Sequence, residues 1–136
     1  MGMAGDGREV RRVRLLPMEP VLRGLLAFLW LAGGIVSLVF APAEVVAHWL
    51  ERVGLSGFPA TVTLWAGSLA DIAVGLALLA GVRGAALAGV VLMLAYTAIL
   101  TIVAPELWAD PFGSLVKNAA VLGLSLAVHA MEARRG

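Results

Sequence analysis

Apolar residues in this chain fall into four long runs with few charges inside them, and polar residues gather in the short stretches between. The first run, VLRGLLAFLWLAGGIVSLVF, covers about 21–40 and stops before Pro42, which cannot continue a helix without losing a hydrogen bond. The second, TVTLWAGSLADIAVGLALLAGV, covers about 61–82. The third, AALAGVVLMLAYTAILTIVA, covers about 85–104 and is closed by Pro105; the fourth covers about 113–131. About 20 apolar residues in a helix match the hydrocarbon thickness of a bilayer, so each run predicts one crossing. Only Arg83 and Gly84 separate the second run from the third, which requires a tight turn.

Residues 41–60 have a different pattern. Val45, Val46, Trp49, Leu50 and Val53 recur at helical spacing, with Glu44, His48, Glu51 and Arg52 on the other side. This predicts a short amphipathic helix at the membrane interface, ended by Gly54, Gly57 and Pro59. Residues 1–20 hold no long apolar run and read as a basic cytoplasmic arm, leaving 21–136 as one four-span domain. The basic leader, the apolar stretch and Ala41-Pro42-Ala43 also imitate a cleavable secretory signal. An apolar stretch of about 17 residues even from Gly24, with Trp30 and the Gly33-Gly34 pair in it, favours a retained span.

The predicted fold is all-α: a left-handed transmembrane four-helix bundle with a short interfacial helix between the first and second spans. Composition agrees, since the 136 residues are 61% hydrophobic and 14% charged, with mean hydropathy +0.96. Arg8, Arg11, Arg12, Arg14, Arg23, Arg83, Arg134 and Arg135 fall on one side of the four spans, leaving Arg52 and Lys117 for the other. The positive-inside rule then puts both termini in the cytoplasm, in a multi-pass protein of the cell membrane. Trp49, Trp65 and Trp108 lie near the opposite boundary, where amphipathic rings are favoured.

With no cysteine, the chain has no disulfide, thiolate nucleophile or iron–sulfur ligation of its own. The net charge of +1, with its basic residues at membrane boundaries, gives no nucleic-acid footprint. His48 and His129 fall on opposite sides of the membrane and predict no shared metal. No nucleotide-binding motif is present, so the chain is not expected to be an enzyme on its own.

Candidate chemistry centres on Asp71, a carboxylate near the middle of the second span, which would cost about 2.5–3.5 kcal/mol facing lipid and should face protein. Gly67, Asp71 and Gly75 share a helix face, with Ser68 on the adjoining ridge, so a neighbouring helix can approach closely. Lys117 is the expected partner, offset from Asp71 by roughly 7 Å along the bundle, with Asn118 beside it. Asn118, Leu122, Ser125 and His129 follow one face of the fourth helix. Gly89, Met93, Thr97 and Thr101 make a stripe on the third, with Tyr96 adjacent. These groups read either as a structural polar core or as a pocket open to the outer leaflet that takes a polar head through Tyr96, Lys117 or Asn118. In the third loop, Asp110 before Pro111 matches an N-cap with proline in the first helical position, and Trp108 and Phe112 would anchor that end. The same segment, through Gly113, also reads as a binding loop.

Pro105-Glu106-Leu107-Trp108-Ala109-Asp110-Pro111-Phe112-Gly113 followed by Leu115-Val116-Lys117-Asn118 resembles the signature of DoxX-like membrane proteins. The stretches Leu29-Trp30-Leu31 to Val36-Ser37-Leu38, Ala70 to Leu79 and Met93 to Thr97 look like the first three helices of that family. Ser114 stands where proline is expected, and Ala119-Ala120 where leucine-proline is common, so the bend into the last helix differs. The resemblance covers about 25–134 and implies a four-helix membrane bundle. Relatives include a membrane subunit of a thiosulfate:quinone oxidoreductase and proteins fused to reductase-like domains. The implied role is an accessory subunit of a quinone-linked or other redox system, with no intrinsic cofactor beyond a bound quinone or lipid and with a membrane or cytoplasmic redox partner. A lipid-binding or assembly factor and a small transporter are the other readings. Gly33, Gly34, Gly84 and Gly89 suit either a homodimer contact or internal packing.

Overall fold

The computed structural model describes residues 18–111 and 113–135, so the basic arm falls almost wholly outside the described residues. Within them the chain is helical, with no strand. Helix α1 (Met18–Ile35) continues as a π-helical turn, Val36–Phe40, in which the Ala41 N–H reaches back to the Val36 carbonyl. Then come α2 (Ala43–Arg52), α3 (Gly57–Leu79), α4 (Ala85–Val103), a 3₁₀ turn (Pro105–Trp108) and α5 (Val116–Ala133).

Four predicted boundaries need correction: helix α1 begins at Met18 instead of about 21, taking in the last residues assigned to the arm, α3 ends at Leu79 instead of about 82, and the starts of α3 and α5 also move. Helix α3 begins at Gly57, not near Thr61, because Pro59 sits in its first turn, where a missing N–H breaks no intrahelical bond. Helix α5 begins at Val116, after a turn in which the Gly113 N–H bonds the Asp110 carbonyl and Gly113 takes φ +63°. The link from α3 to α4 is as short as expected. The Gly81 N–H bonds the Leu78 carbonyl, and the Val82 N–H bonds the Ala77 carbonyl, with Gly81 at φ +71°. This arrangement closes a helix with a glycine in the left-handed region.

Three helical segments, Met18–Phe40, Gly57–Leu79 and Ala85–Val103, are long and apolar enough to cross a membrane. Their outward faces carry large apolar residues in the open, with Phe58 80% and Ile102 82% exposed. Such a surface is at home in lipid. Helix α5 is less apolar, since Lys117, Asn118, His129 and Glu132 interrupt it.

Helix α1 packs most extensively on α3 and α4 on α5, with lesser α1–α5 and α3–α4 contacts and a slight one between α2 and α3. Glycines set the closeness of the first pair. A Cβ at Gly34 would stand 2.6 Å from the Ser68 carbonyl oxygen, and one at Gly75 would stand 2.6 Å from Leu31 Cγ. On α4, Gly89 accepts the Trp30 indole in the same way. The tight core, Leu26, Ala27, Trp30, Leu78, Ala85, Ala86 and Val128, lies toward the α3–α4 turn. At that end buried Glu19 pairs with Arg23 and with Arg135, which joins the start of α1 to the end of α5. The opposite half is packed less fully, and the cavity lies there.

Candidate functional site

A cavity of about 380 Å³ opens among α1, α3, α4 and α5. Its walls are mostly apolar and include Leu29, Met93, Leu100, Leu107 and Val121. Polar groups enter from three helices: Asp71 from α3, Tyr96 from α4, and Lys117 and Asn118 from α5. Tyr96 Oη donates to Asp71 Oδ1 at 3.1 Å and lies 3.3 Å from the Gly67 carbonyl oxygen. Asp71 Oδ2 faces α1 at Gly33, where an added Cβ would stand 3.9 Å away. Glycines therefore flank the carboxylate, and small residues do admit neighbouring helices around it.

The expected ion pair with Lys117 is not formed. Lys117 has no ion pair or hydrogen bond through its side chain among the described residues and is exposed. The observed helix starts explain this, because Lys117 occupies the first turn of α5 while Asp71 lies more than three turns into α3. Tyr96, with a partly buried hydroxyl that must find an acceptor, takes the role instead. A tyrosine one helix away from an intramembrane carboxylate was the available signal, and it was outweighed by charge complementarity.

Asn118 Nδ2 donates to Thr97 Oγ1 at 2.9 Å, so the α4 and α5 stripes meet face to face. Deeper on α5, Ser125 is fully buried and its hydroxyl bonds the Val121 carbonyl. Ser68 is buried but does not line the cavity; it lies in the α1–α3 contact beside Gly34. Trp30, Leu107 and Ser114 line the cavity although the residue pattern assigned them no binding role.

The third loop frames the mouth. The Trp108 indole N–H donates to Thr101 Oγ1 at 3.1 Å. Asp110 does not cap the helix; its carboxylate accepts from the Ser114 hydroxyl and, at 3.4 Å, from the Ser114 N–H, fixing the turn before α5. Pro111 is exposed within that turn, and Phe112 lies outside the described residues. A second space of about 410 Å³, lined by Trp49, Leu100, Leu107, Asp110 and Ser114, shares three of these residues with the cavity and continues it outward under α2. Arg52 holds α2 to this region through Glu106 and through the Val103 carbonyl, 2.9 Å away, with its guanidinium 5.3 Å from the Trp49 ring centre. The hydrogen bond from Arg52 holds the Glu106 carboxyl below its ordinary value.

Chemically, the cavity offers a carboxylate paired with a phenol, an ammonium and an amide near its mouth, and apolar walls. That set suits an amphiphile with a hydrogen-bonding head. The profile of the DoxX-like family matches residues 27–126, from within α1 to within α5. No curated protein and no solved structure gives a significant match.

Proposed function

The chain belongs to the DoxX-like family of membrane proteins, and we propose that it is an accessory subunit of a quinone-linked or other redox system that holds the polar head of a quinone in the Asp71–Tyr96 cavity. The observation that carries this reading is the placement of Asp71, Tyr96, Lys117 and Asn118 around one apolar-walled space. A quinone carbonyl can accept from the Lys117 ammonium or the Asn118 amide, and a hydroquinone hydroxyl can donate to Asp71. The redox chemistry itself belongs to a partner in the membrane or the cytoplasm.

In the same proposal the protein is a four-span bundle with α2 at the outer interface and both termini in the cytoplasm. Two features support it: the Glu19–Arg135 pair puts the start of α1 and the end of α5 together, and Arg23 and Arg83 lie at that end. Lys117 and Asn118 then face the cavity from the fourth span. A lipid-binding or assembly role draws support from the apolar groove of about 210 Å³ between α2 and α3. A transport role is disfavoured by the packed layer of Leu26, Leu78 and Val128 beneath the cavity.

The test is mass spectrometry of the organic extract of protein purified in mild detergent. A quinone enriched over its share of the membrane, and depleted in Tyr96→Phe and Lys117→Met, is the expected result. Lipids and quinones in bulk proportion would overturn the reading.

A further inference from the structure

At the end opposite the cavity, two small spaces adjoin, of about 230 and 130 Å³. Arg83 and Glu132 line both; Glu19, Arg23 and Arg135 complete the larger, and His129 the smaller. The cluster is unevenly satisfied. Glu19 binds both Arg23 and Arg135. Arg83 has no ion pair among the described residues. Glu132 Oε1 and His129 Nδ1 are shut away from water with no hydrogen-bond partner. Buried polar atoms left unpaired are costly, so a ligand that meets them once the two side chains turn toward the spaces they line recovers part of that cost.

The three groups specify that ligand. Arg83 takes anionic oxygens, the Glu132 carboxylate takes a cationic donor, and an imidazole nitrogen that carries no proton takes an N–H. A phosphate carried two carbons from a primary ammonium supplies both. The spaces sit beside the α3–α4 turn, at the ends of apolar helices, where phospholipid headgroups lie. We propose that this charged end binds the phosphoethanolamine headgroup of a membrane phospholipid, with Arg83 on the phosphate and Glu132 and His129 on the ammonium. The site is separate from the Asp71 cavity, with the packed core between them.

The full chain in detergent, mixed with equal amounts of phosphatidylethanolamine, phosphatidylcholine and phosphatidylglycerol, gives the test by native mass spectrometry. Phosphatidylcholine keeps both charges but has no N–H, and phosphatidylglycerol keeps the phosphate but has no ammonium. The expected result is a phosphatidylethanolamine adduct at least about tenfold more abundant than either. Equal adducts would overturn the proposal without recourse to any variant. Glu132→Gln should abolish the preference over phosphatidylglycerol, and Arg83→Ala should weaken binding of all three, each read on protein whose melting temperature is retained. An unchanged preference in both variants would also overturn it. Soluble O-phosphoethanolamine should fail to displace the lipid at equal concentration; displacement would overturn the assignment to a lipid.

Discussion

The Tyr96 hydroxyl lies 3.1 Å from Asp71 Oδ1 and 3.3 Å from the Gly67 carbonyl oxygen, so one phenolic proton serves two acceptors on α3. This contact joins α3 to α4 beside the cavity and holds the carboxylate toward protein. Tyr96→Phe should lower the melting temperature in detergent. A double-mutant cycle with Asp71→Leu should give a coupling of about 1–2 kcal/mol, since the hydrogen bond is lost once rather than twice. Zero coupling would mean that the pair is not made in the membrane.

Asp71 and Lys117 behave differently because they line the same cavity without touching. Stability losses for Asp71→Asn and Lys117→Met should show a coupling of no more than about 1 kcal/mol in the double variant, the remainder left by a shared cavity without a contact. A double variant much more stable than the sum would restore the ion pair expected from charge alone.

Glycine replacements should separate by position. Gly34→Ala puts a Cβ 2.6 Å from the Ser68 carbonyl oxygen, a backbone atom that cannot swing aside, and should cost about 1–3 kcal/mol. Gly24→Ala meets nothing within 4 Å and should be neutral or stabilising by up to about 1 kcal/mol. Thermal melts of both variants in one detergent check the contrast.

The Arg52–Glu106 tie should depend on pH. Its hydrogen bond lowers the Glu106 value in the folded protein, so its contribution is present above the unfolded carboxylate value and is lost as pH falls through the folded one. Spin labels at His48 and Ala109 should report a broader distance distribution in acid, and Glu106→Gln should give that broadening at neutral pH. A distribution unchanged in both conditions would show that α2 is held by other contacts.

Orientation can be read with an impermeant thiol reagent on intact cells. Gly57 has φ +58°, which would strain a cysteine, so Ser56 is the better outer position. Ser56→Cys should be labelled and Arg134→Cys should not; the reverse pattern would invert the proposed topology.

The sequence by itself determined the all-helical class, the membrane environment and the helix order, because apolar runs matched to bilayer thickness and interrupted at Pro42, Arg83-Gly84 and Pro105 leave the backbone few other ways to satisfy its hydrogen bonds. It also marked Asp71 as a residue that must face protein, and the cavity contains it. The tertiary structure decided what Asp71 meets. Helix text gives rotation about an axis within a turn, but the relative height of two helices depends on loops and ends, and a first-turn proline in α3 and the Asp110–Ser114 turn before α5 moved both. That shift left Lys117 at the mouth and brought Tyr96 to the carboxylate. The charged end was legible only as a gathering of basic residues on one side: Glu19, Arg83, His129 and Glu132 come from two helices and a turn, and only packing makes them neighbours.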